Sequence, residues 1–461
     1  MNKGVAFFTP TVFLILRRGA LLSKKNLNPK SISRQPRPDF GAILDELIEK
    51  VFTVSTRADE AERNHEKAIV THFLQTKGSR FSRTFEHQAN VILDGWMNAL
   101  DLSSNAKSKV VNELREYVGF APLRPPVKSS FTFIDLFAGI GGFRSAMQEL
   151  GGKCVFTSEW DKFAKETYTA NFGEVPFGDI TSPKTKELIP EGFDILCAGF
   201  PCQAFSIAGK RGGLEDTRGT LFFDVADILD KRRPKAFFLE NVKGLVSHKS
   251  GDKQTLSIIL KTLRSLGYTV PTPQIINAKR FGVPQNRERI FIVGFREDLP
   301  ISETSFSYPS GTDPEITIGN ILEQNVDSKF FLSQTALDGL KRHRARHESK
   351  GNGFGYEVLG PDDIAGAIVV GGMGRERNLY KDKLPKRQTF STKKSGGLNS
   401  EGIRTLTPRE WARLQGFPEE FIIDAVSDAQ AYKQFGNSVA VPAIKATAKE
   451  LLKALKIKIK T

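Results

Sequence analysis

The sequence predicts an α/β protein: a mostly parallel sheet, a helical extension before it and a small irregular domain set into it. Three observations carry this. From residue 131 onward, apolar runs of strand length alternate with helix-length stretches, the rhythm of βα units. The first run ends in a glycine-rich turn, Ala138-Gly139-Ile140-Gly141-Gly142. Between 301 and 404 the rhythm stops and Gly, Lys, Arg and Ser take over. The boundaries read this way are 1–128 for the extension with its flexible lead-in, 129–300 for the first part of the main domain, 301–404 for the irregular domain and 405–461 for the return to the main domain.

Composition limits the possibilities. At 461 residues, with 39% hydrophobic and 26% charged side chains, the chain can bury sizeable cores. A net charge of +15 favours a polyanionic partner, nucleic acid first. Three cysteines, Cys154, Cys197 and Cys202, are an odd and sparse set. They argue for a reducing compartment and against a disulfide framework. The six histidines show no ligand spacing, so no metal site is expected. Val5 to Leu16 imitates a signal peptide, but Pro10 interrupts it and it is too short to cross a bilayer. A cytoplasmic monomer without a membrane partner is expected.

In chain order, residues 19–38 are polar, basic and proline-bearing, a flexible lead-in. Asp39 can cap a helix whose Ile43, Leu44, Leu47, Ile48 and Val51 share one face. Further helices are expected near 61–74, 86–100 and 107–117, and a proline-rich linker at 121–130. Nothing in this extension carries recognisable chemistry. Phe131 to Phe137 is β-rich; the glycine turn and a helix from Phe143 to Leu150 follow. Such a turn lets a ligand approach the backbone closely. Lys153 to Ser158 is a second strand, ending in Glu159-Trp160. A carboxylate there can take ribose hydroxyls and Trp160 can stack on a purine. Gly178-Asp179-Ile180 reads as the end of a third strand, with an acceptor for an exocyclic amine. Three such ends describe an adenosine site with no phosphate requirement.

The fourth expected strand, Ile195 to Phe200, is stopped by Pro201, and Cys202 follows at the sheet edge where open α/β sheets bind ligands. A lone cysteine is more often a core residue, so the thiol needs company to count as chemistry. Gln203 to Gly219 is a glycine-rich polar loop of binding-loop length. Leu221 to Asp230 is helical, and Ala236 to Val242 is a strand bearing Glu240. Parallel neighbours would put Cys202 and Glu240 on one edge, a thiol beside a carboxyl acid. Gln285, Arg287 and Arg289 fall on one face of an extended segment leading into the strand Ile290–Gly294. If that strand is antiparallel, they share the edge. The irregular domain carries Lys341-Arg-His-Arg-Ala-Arg346, Gly351 to Tyr356, Gly371 to Arg377 and Lys393-Lys394, suited to phosphates and base edges. Arg375 and Arg377 lie among glycines, and arginine pairs best with guanine O6 and N7. A helix after Leu406 and a last one from Pro442 to Lys456 flank Gln434 to Val439.

Together these segments resemble the DNA (cytosine-5)-methyltransferases of restriction-modification systems. DLFAGIGGF at 135–143, EWD at 159–161, GDI at 178–180, GFPCQAFS at 199–206, ENV at 240–242, QNRER at 285–289, LTPRE at 406–410 and QFGNSV at 434–439 stand in family order. The likeness covers about 130–300 and 404–450. It implies a Rossmann-like S-adenosylmethionine-dependent sheet, with 301–404 as target-recognition domain and 405–461 as part of the catalytic domain. It also implies transfer of a methyl group to C5 of a flipped cytosine in double-stranded DNA. Cys202 would be the nucleophile and Glu240 the acid on the base. Arg289, with Arg287 nearby, would hold the base and favour the thiolate. Phe137, Gly139, Ile140, Gly141, Glu159, Trp160, Asp179, Ile180, Pro201, Asn437 and Ser438 would line the S-adenosylmethionine site. Gln203, Ser206, Arg218, Gln285, Arg375 and Arg377 would meet DNA. A cognate restriction endonuclease acting on the same site, without a stable complex, is the expected companion. GNGFGY and GGMGRERN resemble recognition segments of enzymes acting on GGNCC or GGWCC. The extension at 1–128 lies outside the family pattern.

Other readings fit less of the sequence, and a Rossmann oxidoreductase would leave Cys202, Glu240 and Arg289 unexplained. A zinc cytosine deaminase needs a second cysteine after Pro-Cys, and Gln203, Ala204 and Phe205 stand there instead. A tRNA methyltransferase shares the motifs but leaves the basic 301–404 region without a duplex to grip. A non-catalytic DNA-binding protein would have lost the thiol or the acid, and both are present.

Overall fold

The computed structural model describes residues 60–99, parts of 108–119, and 121–201, 221–250, 253–313, 315–351, 355–370, 376–384 and 397–458. The expected helix at 39–51, Cys202, Gln203, Ser206, Arg218, Arg375 and Lys393-Lys394 lie outside these residues. The chain divides into two compact units, 1–121 and 122–461.

In the first unit, α1 (Glu60–Thr76) and α2 (Arg83–Ala99) match the expected helices at 61–74 and 86–100. Ile69, Phe73 and Thr76 recur at helical spacing and are buried. His72 is fully buried too, and its Nδ1 lies 2.8 Å from the Ala68 carbonyl oxygen.

The second unit is built on a seven-stranded sheet. Its parallel part is β1 (Phe131–Leu136), β2 (Gly152–Ser158), β3 (Ile195–Gly199) and β4 (Ala236–Val242). Beyond β4 lie β5 (Tyr268–Thr269), β6 (Gln274–Asn277) and β8 (Glu288–Arg296); β7 (Gln285–Asn286) pairs elsewhere. The order is β2-β1-β3-β4-β8-β5, with β6 also on β8, and β8 runs antiparallel to β4. Ile195 to Ala198 and Ala236 to Leu239 are sealed from water, as continuous apolar runs in a sheet covered on both faces should be. The chain leaves β1 toward β2 and returns on its other side as β3. That reversal opens a crevice at the carboxyl ends of β1 and β3.

One expected strand is absent. Around 174–180 the backbone makes only a single parallel bridge, Phe177 to Ser158. Pro176, with no N–H, cannot extend a ladder there. The strand leading to Pro201 is therefore the third, not the fourth, and Asp179 follows a bridge rather than a strand. The helices α3 (Gly142–Glu149), α4 (Lys162–Phe172), α5 (Leu221–Arg232) and α6 (Thr255–Ser265) complete the βα units.

The irregular segment is mostly as expected, apart from α7 (Gln334–Glu348). Its apolar stripe is narrow: Leu337 is buried against Leu379 and Ile403, with Leu340 beside it. Three short strands, β9 (Val358–Leu359), β11 (Leu379–Lys381) and β12 (Ile403–Thr405), form a small sheet. Between them, β10 (Ala365–Gly366) pairs with β7. The chain then enters α8 (Pro408–Leu414), α9 (Asp428–Asn437) and α10 (Val441–Ala454).

Entry into α8 is fixed by a capping box, with Thr407 as N-cap, Pro408 at N1 and Glu410 at N3. Glu410 also binds Arg404 through two hydrogen bonds of 2.8 Å, and both side chains are fully buried. Breaking a buried pair strands its partner charge. Glu410→Ala is expected to cost about 3–5 kcal/mol of stability in urea unfolding. A loss below about 1 kcal/mol would show the pair to be dispensable.

Candidate active site

The first turn sets the crevice. Phe137 adopts φ 53, and Gly141 φ 87. A Cβ on Gly141 would lie 2.2 Å from Phe172, and one on Gly142 2.6 Å from Val439 and 3.2 Å from the Ser438 hydroxyl. Glycine here lets α4 and the 438–439 segment close on the turn. The C-terminal motif thus packs beside the first one, as expected.

Glu159 follows β2 and is nearly buried. Its Oε2 accepts from Gly139 N at 2.7 Å, and its Oε1 from Trp160 N and Asp161 N at 2.8 and 2.7 Å. Burial raises its carboxyl pKa, and these amides pull it back down. Oε1 is filled by its two amides, and Oε2 keeps a lone pair for a hydroxyl. The Trp160 side chain is 82% exposed beside it, open for stacking. Asp179 is exposed, with Oδ1 accepting from Thr181 N at 2.9 Å. Ile140 and Ile180 are buried, and Ile140 packs into the core with Phe143. Asn437 and Pro201 are exposed and Ser438 half-buried.

The second half of the site lies where β3 meets β4. Gly199 stands opposite Glu240 in parallel register. Asn241, unassigned in the sequence reading, donates from Nδ2 to the Phe200 carbonyl at 2.9 Å and fixes the chain entering Pro201. Glu240 is 7% exposed, and its Oε1 lies 3.1 Å from Arg289 Nε. Antiparallel β8 makes this possible, since Arg289 registers with Val242, two residues beyond Glu240. Burial raises the Glu240 pKa, and the charges of Arg289 and Arg287 oppose that shift.

Cys154 and Cys197 are buried, and desolvation raises both thiols above the ordinary range. They are core residues. Cys202 is the remaining cysteine of the sequence.

Two expected site residues turn inward. Gln285, expected on DNA, is fully buried. Its amide donates to the Leu414 carbonyl at 2.8 Å and accepts from Ile368 N at 3.0 Å, so it presents nothing to a duplex. Arg287, expected near the base, is also buried. It donates to the carbonyls of Ile368, at 2.8 Å, and of Gly436 and Ser438, at 3.2 and 2.5 Å. Burial, with Arg289 nearby, pushes its guanidinium pKa down to about 9, against the pull of Glu240. Gln415, which no sequence signal marked, joins them by donating to the Phe435 and Ser438 carbonyls at 2.8 and 3.3 Å. The face shared by Gln285, Arg287 and Arg289 exists, but only Arg289 meets Glu240. Arg287→Ala would strand the Ile368 and Gly436 carbonyls, each costing about 1–3 kcal/mol if left unmet, and leave the Ser438 carbonyl to Gln415 alone. Amide exchange in 366–370 and 435–438 should accelerate together. Protection unchanged in both segments would remove this joint from the account.

Comparison with known proteins agrees with this geometry. Residues 131–453 match the family described as C-5 cytosine-specific DNA methylase. The chain is similar to the Type II methyltransferase M.HpaII of Haemophilus parainfluenzae, at 63% identity over 343 residues, covering 74% of this chain and 94% of that one. It is also similar to the Type II methyltransferase M1.ScrFI of Lactococcus lactis subsp. cremoris, at 45% identity over 346 residues, 75% of this chain and 84% of the relative. Among solved structures, the S. pombe Dnmt2 methyltransferase shares the fold, with a TM-score of 0.53 at 20% identity over 71% of this chain and 99% of that one.

Proposed function

The chain belongs to the C-5 cytosine-specific DNA methylases and is a DNA (cytosine-5)-methyltransferase, and from that premise we propose how its residues do the work: Cys202 forms a covalent adduct with a flipped cytosine in duplex DNA, and S-adenosylmethionine is the methyl donor. The observation that carries this reading is the buried Glu240–Arg289 pair beside the strand that leads into Pro201 and Cys202.

The crevice at β1 fits that donor. It offers a fixed carboxylate with a lone pair to spare on Glu159 Oε2, an exposed indole on Trp160, and a turn open to close approach at Gly139. When bound, S-adenosylmethionine supplies an electrophilic methyl group. Glu159 takes the ribose hydroxyls and Trp160 stacks on the purine. Phe137, Asp179, Ile180, Pro201, Asn437 and Ser438 close the rest of the site.

Cytosine C5 is a weak nucleophile until C6 is attacked. The Cys202 thiolate forms a bond to C6, and the electron pair of the C5–C6 double bond moves onto C5, which accepts the methyl group. The C5 proton then leaves to a base, the pair returns to the ring, and the thiolate is expelled. Glu240 meets N3 and the amino group. Burial favours its protonated form, the form that donates to N3 while its other oxygen accepts from the amino group. Arg289 orients that carboxyl. The base leaves the stack first, because C6 is closed to attack inside it.

Residues 129–300 and 405–461 form the catalytic domain, 301–404 the target-recognition domain and 1–128 an extension. Gln203, Ser206 and Arg218 meet DNA near the flipped base, and Arg375 and Arg377 meet base edges. The enzyme acts as a monomer in the cytoplasm and guards sites from a cognate restriction endonuclease. The Type II names of its relatives support the pairing with a restriction endonuclease.

Labelled methyl transfer to DNA and to tRNA, with base digestion to locate the label, tests the activity. Cys202→Ser should abolish transfer while S-adenosylmethionine binding survives. Turnover within about tenfold of wild type would sink the nucleophile assignment, because an unactivated hydroxyl is far weaker than a thiolate.

Sequence must be read by side chains in a groove, since the catalytic residues see one extruded base. Replacing 301–404 by the corresponding segment of the Lactococcus relative should move the methylated site to that relative's target. Site mapping that still returns the original target would place recognition elsewhere in the chain.

A further inference from the structure

Helix α7 carries four cations, Lys341, Arg342, Arg344 and Arg346, against two acids, Asp338 and Glu348. The structure uses them unequally. Lys341 pairs with Glu401. Arg344 pairs with Glu348 at 2.8 Å and lies 5.6 Å over the Tyr356 ring. A Cβ on Gly355 would lie 2.9 Å from Arg344 Cγ, so the Gly355-Tyr356 turn is docked on this helix. Gly355 and Tyr356 of the GNGFGY motif are therefore scaffold. Asp338 accepts from Gln334 at 3.0 Å.

Arg342, Arg346 and Lys350 are left over. All three are exposed, and none takes part in an ion pair among the described residues. At 3.6 residues per turn, the buried face of α7 runs through Leu337, Leu340 and Arg344. Arg342 and Arg346 fall opposite it, one turn apart, and Lys350 continues the row past the helix end. Gly339 precedes them on the same face, with open space around its Cα. Asp338 stands one turn before Arg342 in the same row, but it accepts from Gln334, and no ion pair joins it to Arg342 among the described residues.

Like charges at i and i+4 cost a helix roughly 0.2–0.5 kcal/mol per pair. The helix dipole compensates a cation in the last turn, which accounts for Arg346 but not for Arg342 in the middle. A bare cationic ridge of this kind, standing outward on a rigid helix, is complementary to a row of phosphates.

We propose that the Arg342–Arg346–Lys350 ridge of α7 grips the sugar–phosphate backbone of the duplex, setting affinity without reading sequence. The inference rests on the reading of duplex DNA as substrate. It differs from that reading in assigning this face a backbone role, separate from the base contacts of Arg375 and Arg377. The ridge holds the duplex in register while the 371–377 segment reads base edges.

The test is a salt titration of the full-length enzyme on duplexes with and without its target. For Arg342→Gln/Arg346→Gln, the slope of log affinity against log salt should fall by about 1.8, at about 0.9 per phosphate contact. Both duplexes should weaken by the same factor, and the methylated-site map should not change. Turnover at saturating DNA should stay at the wild-type rate, and unfolding by urea should be unaltered. Arg342→Lys/Arg346→Lys should restore the slope. An unaltered slope and affinity would overturn the proposal and leave a solvated helix face. Weakening confined to the target duplex would overturn it in favour of base reading, and weakening confined to tRNA would overturn it in favour of an RNA surface. Wild-type enzyme in the same titration separates the two levels. If wild type fails to bind duplex DNA, the substrate reading falls with the ridge; if wild type binds and the variant matches it, only the ridge falls.

Discussion

A guanidinium taken out of water needs acceptors, and at Arg287 the second unit brings main-chain carbonyls to both terminal nitrogens while Nε finds no partner among the described residues. Its acceptors are main-chain carbonyls at 368, 436 and 438, drawn from two segments far apart in sequence. Gln285 and Gln415 complete the joint with side-chain amides that bind backbone on both sides. A carbonyl left unmet in such a place costs more than a typical hydrogen bond yields. The joint therefore has one low-energy arrangement. It fixes the start of the 369–377 segment and the approach to Asn437-Ser438 with one buried group. Val369 and Val370 sit so close over Gly436 that a Cβ there would lie 2.9 Å from the Val370 side chain. Val369 and Val370, just before the segment expected to read DNA, are thus packed on the segment expected to hold the methyl donor, and a shift in either is felt at Arg287.

Glu240 sets the opposite problem. Arg287 is met only by neutral dipoles, whereas Glu240 faces a charged partner, Arg289, at 3.1 Å. Two effects compete on its carboxyl, and burial is the larger, so the pKa stays raised. A fully compensated ion pair would hold Glu240 ionised, able only to accept. A carboxyl whose burial favours the protonated form can donate to one ring position and accept from the next, which is what the N3 and amino edge of cytosine demands. The reversed direction of β8 supplies this balance. A parallel strand at that position would bring its far end to the edge and leave Arg289 on the other side of the sheet.

Much of this was legible in the sequence because sheets sealed on both faces are written as apolar runs, and their carboxyl ends can be read off by what interrupts them. Pro201, Glu159 and Glu240 were placed that way, and the family likeness gave them roles. What failed has a physical reason in each case. The segment at 174–180 has a strand-like composition, but Pro176 removes the donor that a ladder needs. Gln285 and Arg287 alternate with Arg289 correctly, yet alternation gives a face and not the depth of what covers it. The cover comes from residues 368 and 414–438, long after them in the chain. Gln415 carried no local signal, because a buried amide looks like any surface glutamine until its partners are known. Helix α7 was hidden by its own charge, since two leucines are too few to show a period.

The same contrast separates the buried cations from the outward ones in a chain with a net charge of +15. Among the described residues, the cations buried in the second unit are occupied: Arg289 by Glu240, Arg287 by carbonyls, Arg404 by Glu410 and Asp382. Unmatched cations stand on outward faces instead, as along α7. Water screens them there, with a reach of about 10 Å at 0.1 M salt. A polyanion is drawn to such faces from a distance, while the buried site sees mainly its own hydrogen bonds. Attraction and chemistry are thereby carried by different residues. A loss of surface charge should alter how tightly the duplex is held, whereas a loss in the buried set should alter what happens to the base once it has been delivered.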